Sequence, residues 1–285
     1  MGQGGGSLAA ERGVSPCQFH GENAPFRAEK AGALSASGTQ TMLHGSDLPA
    51  PACLPAMATT ELSRPAAPLV VACVESQPFG QNTYVVWREG AAEGVVVDPG
   101  FEPRAVIDCL ERQGVAPAAI LLTHGHSDHI AGNAALKTRW PDLPILIGHG
   151  DAPKLTNPAG NLSAAFGLAL VSPAADRLLA DGERVQAAGI DFDVREIPGH
   201  SSGHVVFVVS GVDPPVVFGG DVLFREGIGR TDFPDGDFDR LAAGIRRHLY
   251  SLPDDAIVYP GHGGPTTVGH ERRFNPFVAG DLDGN

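Results

Sequence analysis

LLTHGHSDHIAGN, Leu121–Asn133, sets His124, His126, Asp128 and His129 within six residues, directly behind an apolar run. A short apolar run closed by turn residues reads as a buried strand, so the polar cluster stands at a strand's carboxyl end. His124 and His126, at i and i+2 in extended chain, point to the same side and are placed to share one ion. Past the turn made by Gly125 and Ser127, Asp128 and His129 face elsewhere, suited to a second ion about 3.5–4 Å from the first.

The same grammar recurs three times. VREIPGH ends in His200, VVFGGD in Asp221 and AIVYPGH in His262, each an apolar strand, a tight turn and one metal-capable side chain. Sites in α/β folds gather at the carboxyl ends of strands, so the four ends are expected to meet. Imidazole and carboxylate suit zinc, iron or manganese, and no thiolate is present to demand zinc. A carboxylate tying two ions together is the remaining requirement, and Asp221 is the candidate.

Outward from these ends, β-branched runs alternate with helix-like segments from Leu69 onward, the pattern of an α/β domain. LVVACVE, NTYVVWR, EGVVVDPG, PILIGH and HVVFVVS complete the expected strands. EPRAVIDCLERQG has Pro103 near a helix start and Gly114 past its end. DGDFDRLAAGIRRHLYSL sets Phe238, Leu241, Ile245 and Leu249 on one face behind an Asp237 cap. Val171 to Leu179 fits neither period.

The 285-residue chain is 42% hydrophobic, enough for a sizeable core, and its formal charge of −13 with no basic run argues against a nucleic-acid partner. Nothing reaches the ~18 apolar residues of a membrane span and no signal-type segment opens the chain, so the expected location is cytoplasmic. Cys17, Cys53, Cys73 and Cys109 lack metal-type spacing and read as reduced bystanders. Residues 1–66, rich in Gly, Ala, Ser and Pro, read as a disordered N-terminal arm ahead of a domain at 67–285. The arm's four basic and five acidic residues argue against a mitochondrial address, and MGQGGGS misses a myristoylation signal because Gly6 stands where Ser or Thr is required. Met57 offers a second translation start.

THGHSDH, PGHSSGH, GGDVLF and YPGHG, in that order, resemble the metallo-β-lactamase superfamily, over essentially all of Leu69 to Val278. The resemblance implies a four-layer αβ/βα sandwich with its site at the edge between two β-sheets. It implies one metal held by His124, His126, His200 and Asp221, and a second held by Asp128, His129, His262 and again Asp221. Two divalent ions are expected, zinc before iron or manganese. His204 resembles a recurrent histidine beside the ligands rather than a ligand. Asp98, in VVVDPG, is balanced between a turn residue and an acceptor that orients a ligand histidine.

Asp221 stands where the β-lactamases that bind two zincs carry a cysteine, which argues against antibiotic hydrolysis as the main task. Residues 67–285 hold 16 basic and 28 acidic groups, which argues against the nucleic-acid-cleaving branches. GIGRTDFPDGD resembles the glyoxalase II-like and persulfide dioxygenase-like branches, where a basic residue after G-x-G contacts glutathione. Arg230 holds that place, and a guanidinium fork suits a carboxylate. The plainer reading of Arg230 is a surface ion pair with Asp232 or Asp235.

A thioester expels a thiolate whose acid has a pKa of about 8.5, so the reaction needs a nucleophile and oxyanion stabilisation more than a strong acid. A metal-bridging hydroxide, oriented by Asp128, would supply the first and the two ions the second. PTTVGHERRFNPFV resembles the compact single-domain hydroxyacylglutathione hydrolase-like branch, since the 23 residues after His262 leave no room for the helical region of full-length glyoxalase II. Hydrolysis of a glutathione-linked thioester is therefore the expected activity, with Asp128 and Asp221 catalytic and Arg230 binding substrate. The rivals are a mononuclear iron persulfide dioxygenase and a non-enzymatic binding protein on the same fold.

Overall fold

Alternation along the strands sets the layers. The computed structural model describes residues 66–279 together with Gln18 and Phe19. In β5 (Ala116–Leu122), Ala119 and Leu121 enter one apolar cluster while Ile120 and Leu122 enter another, and all four are buried. β10 (Val205–Val209) does the same, sending Val205, Phe207 and Val209 into the first cluster and Val206 and Val208 into a third. A strand buried on both faces needs a covering layer on each side. Two such sheets sharing the middle cluster make the four-layer αβ/βα sandwich.

The first sheet runs in the order β1 (Gln18–Phe19), β2 (Leu69–Ser76), β3 (Gln81–Arg88), β4 (Glu93–Val97), β5, β6 (Ile145–Gly148) and β7 (Arg177–Leu179). It is antiparallel through β4 and parallel from β4 to β7. The second runs β15 (Thr266–Thr267), β14 (Ile257–Pro260), β11 (Val216–Gly220), β10, β9 (Ile190–Glu196) and β8 (Arg184–Ala187), with only β11 and β14 parallel. β12 (Leu223–Phe224) and β13 (Gly227–Ile228) form a separate hairpin. Phe192, Phe207 and Phe218 are fully buried between the sheets, and each such side chain contributes about 1.5–3 kcal/mol.

Helices α1 (Pro103–Gln113) and α3 (Asn133–Arg139) cover the first sheet through Val106, Leu110 and Leu136. α1 ends as its sequence implies, with Gly114 left-handed at φ +65°. Between them lies the single turn α2 (Ser127–Ile130). On the second sheet α4 (Phe238–Gly244) continues as a π-turn through Leu249 and buries Leu241, Ile245 and Leu249. Phe238, expected on the same face, is 44% exposed. α5 (Val268–Phe274) closes that layer.

Within the N-terminal arm, Gln18–Phe19 pairs with β2 opposite Cys73 and Ala72, a strand that its sequence does not announce. The rest of residues 1–65 lies outside the described residues. Among the described cysteines Cys73 is buried and free, whereas Cys109 is disulfide-bonded. The expectation of four reduced thiols therefore fails at Cys109. No helix among the described residues is long and apolar enough to cross a membrane.

Candidate metal centre

Each candidate ligand leaves a strand at its carboxyl end. His124 follows β5 by two residues and His126 precedes α2, which carries Asp128 and His129. His200 lies in the turn after β9, Asp221 directly follows β11, and His262 comes two residues after β14. The chain between strand and ligand is forced into close approach. A Cβ on Gly261 would collide with Asp221 Oδ1 and stand 2.7 Å from His129 Cε1, so only glycine fits there.

Seven side chains converge as two sets. His126 Nδ1 stands 3.1 Å from His124 Nε2 and 3.0 Å from His200 Nε2. His262 Nε2 lies 3.3 Å and His129 Nε2 3.8 Å from Asp128 Oδ2. Asp221 faces both sets, Oδ2 at 3.5 Å from His200 and from His262 and Oδ1 at 3.4 Å from His129. Ligand atoms bound to one tetrahedral ion at about 2.1 Å lie roughly 3.4 Å apart, so these separations suit a shared cation on either side of Asp221. His129 Nε2 and Asp221 Oδ1, which face each other, are buried without a hydrogen-bond partner, a cost that a bound cation removes.

The far side of the rings fixes the tautomers. His129 Nδ1 donates to Asp98 Oδ2 at 2.9 Å, His200 Nδ1 to the Arg230 carbonyl at 2.9 Å and His262 Nδ1 to the Phe79 carbonyl at 3.1 Å. With Nδ1 donating outward, Nε2 of each ring faces inward, where its lone pair would serve a cation once any proton on it is displaced. Asp98 does more than turn the chain: it also accepts from Thr123 N at 2.7 Å and Thr123 Oγ1 at 2.6 Å, and that hydroxyl sits 3.1 Å from His124 Nδ1. His204 Nε2 accepts the Asp221 N–H at 3.1 Å, and its ring stacks on His124 at 4.7 Å, so it orients the set without entering it.

Charge divides the two sets. Burial pulls His124 well down, His126 to about 3 and His200 down, which leaves neutral imidazoles. Burial also opposes charge on Asp221, His129 and His262, but their mutual attraction prevails. Asp221 stays well below the usual carboxylate range, and His129 and His262 are raised, His262 to about 10.

Arg230 stands outside this cluster. It is exposed, and its guanidinium pairs with Asp232 at 2.9 and 2.8 Å while lying 4.6 Å from the Phe233 ring. Phe233 in turn packs edge-on against His126 and His200 at 5.2 and 5.5 Å. Sequence reasoning missed Thr123, Asp151, Lys154 and Ser201, which support the site, and offered Asp235 as an Arg230 partner where it pairs with Lys154. None stands in a spacing that marks it.

A family model described as the metallo-beta-lactamase superfamily matches residues 76–262, the segment that holds all seven side chains. The chain belongs to the metallo-β-lactamase superfamily. Among its relatives is the hydroxyacylglutathione hydrolase GloC of Haemophilus influenzae, 37% identical over 206 residues that span 70% of this chain and 93% of that one. Among solved structures, the metallo-β-lactamase fold recurs in BLEG-1, a B3 metallo-beta-lactamase, at 36% identity and TM-score 0.69, covering 73% of this chain and 99% of that one. TTHA1623, solved in a di-iron-bound form, is 41% identical with TM-score 0.63 over 72% of this chain and 99% of that one.

Proposed function

We propose that this metallo-β-lactamase superfamily member is a binuclear hydrolase of thioesters, with S-acylglutathione as the substrate class. The observation that carries the reading is the placement of Asp221 between a three-histidine set and an Asp128–His129–His262 set, each at ligand spacing. Two divalent cations held there would supply Lewis acidity and a nucleophilic water at neutral pH. The remaining work belongs to the chain. Asp128, held below the usual carboxylate range by His129 and His262 against burial, stays ionised to orient a water and take its proton. The imidazoles keep Nε2 inward through Asp98, Arg230 O and Phe79 O. A thiolate leaves without a strong acid, so the cluster need not supply one.

Arg230 provides the glutathione contact by exchanging Asp232 for a substrate carboxylate, a bidentate pair of the same geometry. GloC, named a hydroxyacylglutathione hydrolase, supports this substrate class. TTHA1623 in its di-iron form makes iron the metal to compare with zinc. The test is elemental analysis of the purified chain with assays on S-lactoylglutathione, glutathione persulfide and nitrocefin. Two ions per chain with S-lactoylglutathione turnover is the expected result. One iron with oxygen uptake on the persulfide would replace the reading by the dioxygenase, nitrocefin turnover alone by a lactamase, and no turnover of any by a binding protein.

A further inference from the structure

Beside the metal centre lies a charged cluster that the proposed chemistry does not use. Asp151 is fully buried and Lys154 nearly so, both on the 3-10 turn His149–Thr156 that follows β6. Asp151 accepts the Gly125 N–H at 2.8 Å, between His124 and His126, and the Gly203 N–H at 2.7 Å. It also accepts from the hydroxyl of Ser201, the residue after His200. One carboxylate thus holds both turns that carry the three-histidine set. Lys154 Nζ lies 3.1 Å from Asp151, donates to Ser201 Oγ, and donates to Asp235 Oδ2 at 2.6 Å. Asp235 also accepts the Ser202 N–H at 2.9 Å and belongs to the 230–237 loop, which carries Arg230 and Phe233.

Lys154 Nζ thus makes two hydrogen bonds, to Ser201 and Asp235, and an ion pair with Asp151. Its stem is equally confined, since a Cβ on Gly125 would stand 2.7 Å from Lys154 Cβ. A buried lysine whose charge is shared between two carboxylates on different segments ties those segments together. Removing it leaves Asp151 buried without its counter-charge and Asp235 with only the Ser202 N–H. We propose that Lys154 is a positioning residue that couples the His124–His126–His200 set to the substrate-side loop 230–237. Asp151 is its arm toward the histidines and Asp235 its arm toward the loop. The proposal rests on the metal-binding reading of the three histidines but not on the identity of the thioester.

The test compares the full-length parent with Lys154→Met, Lys154→Arg, Ser201→Ala and Asp235→Asn. Two quantities are read: zinc affinity by competition with a chromophoric chelator, and amide hydrogen exchange across 230–237 in the zinc-loaded protein. Lys154→Met is expected to weaken the tighter zinc affinity by about 10–100-fold, the usual cost of losing a group behind a ligand, and to speed exchange in the loop about tenfold or more. Asp235→Asn should speed loop exchange with zinc affinity within about twofold of the parent, and Ser201→Ala should do the reverse. Lys154→Arg should restore part of both.

A folded Lys154→Met protein whose melting temperature falls while either zinc affinity or loop exchange stays at the parent's value would overturn the coupling. If that variant does not fold, the single-arm variants decide. The proposal fails if Asp235→Asn leaves loop exchange unchanged, or if Ser201→Ala leaves zinc affinity unchanged. A parent that binds two zincs tightly yet leaves S-lactoylglutathione intact would refute the thioesterase reading alone, since neither measurement involves substrate. A parent that binds no zinc would overturn both.

Discussion

Asp221 meets two sets of donors with one carboxylate, so no neighbour can substitute for it. Asp221→Asn keeps the shape and removes the charge that His129 and His262 face. It should bring metal content from two ions to one or fewer and lower kcat at least about 100-fold at saturating substrate. Arg230→Ala deletes a contact made equally in ground and transition states, so KM for S-lactoylglutathione should rise with kcat nearly unchanged. A shorter thioester without glutathione's carboxylates should be indifferent to it, and equal losses on both substrates would reopen the substrate class. Asp98→Asn makes a finer cut. Its carboxylate oxygen Oδ2 accepts from both Thr123 Oγ1 and His129 Nδ1, and an amide NH2 there would point hydrogens at a hydrogen. His129 must then rotate or change tautomer, and competition titration should show about 10–100-fold weaker affinity for one ion, the other being unchanged. The seven converging residues were legible because each is a metal-capable type placed just past an apolar strand. Asp98 was only half legible, because Asp before Pro at a strand end is also an ordinary turn. Lys154 in GHGDAPKL was not legible at all: one lysine carries no spacing, and its partners at 201 and 235 are distant in sequence.

At the scale of elements, legibility followed burial. β4, β10 and β11 are buried almost throughout, β5 over its last four residues, and all read as apolar runs; α1 and α4 announce themselves by Pro103, Gly114 and the Asp237 cap, whose side chain accepts from Arg240 N. β7 and β8, the outermost strands of their sheets, have a single buried residue each, so their patterns lack the apolar signal that marks a strand. β15 and the β12–β13 pair are two residues per strand, too short to show any period. The loop 230–237 is held by polar contacts instead, which makes it sensitive to acid. Burial opposes ionisation of Asp235, but the bonds from Lys154 and Ser202 outweigh it and bring its pKa from 3.8 down to about 2. A depressed carboxylate pKa adds stability that is fully present above 3.8 and is lost as pH falls toward 2. Allowing for solvent screening of a partly exposed group, the contribution is roughly 1 kcal/mol. Urea unfolding of parent and Asp235→Asn, both with chelator, should differ most at neutral pH and converge between pH 4 and 2. A gap that persists at pH 2 would mean the asparagine acts through packing rather than charge.

The whole molecule divides its site between two sheets. His124, His126, Asp128 and His129 follow the last residues of β5, whereas His200, Asp221 and His262 follow strands of the second sheet. Across that seam the protein has the shared apolar cluster, the Val205 N–H to Thr123 carbonyl bond at 2.8 Å, and the seven converging side chains. A ligand that binds only the folded chain stabilises it by RT ln(1 + [L]/Kd), about 2.7 kcal/mol for each ion at 100 times its Kd. Two ions together would give roughly 5 kcal/mol, less whatever the unfolded histidines bind. In a domain of this size each kcal/mol moves the melting temperature by about 2–4 °C, so zinc loading should raise it by about 10–20 °C over the chelated protein. The rise should follow the logarithm of free zinc rather than plateau. His262→Ala, which removes a donor from one set only, should keep about half of it, because the His124–His126–His200 set would still join the sheets. A melting temperature indifferent to chelator would show that the apolar cluster and the hydrogen bonds across the seam suffice to join the sheets, and the seven side chains would then need a different explanation for their convergence.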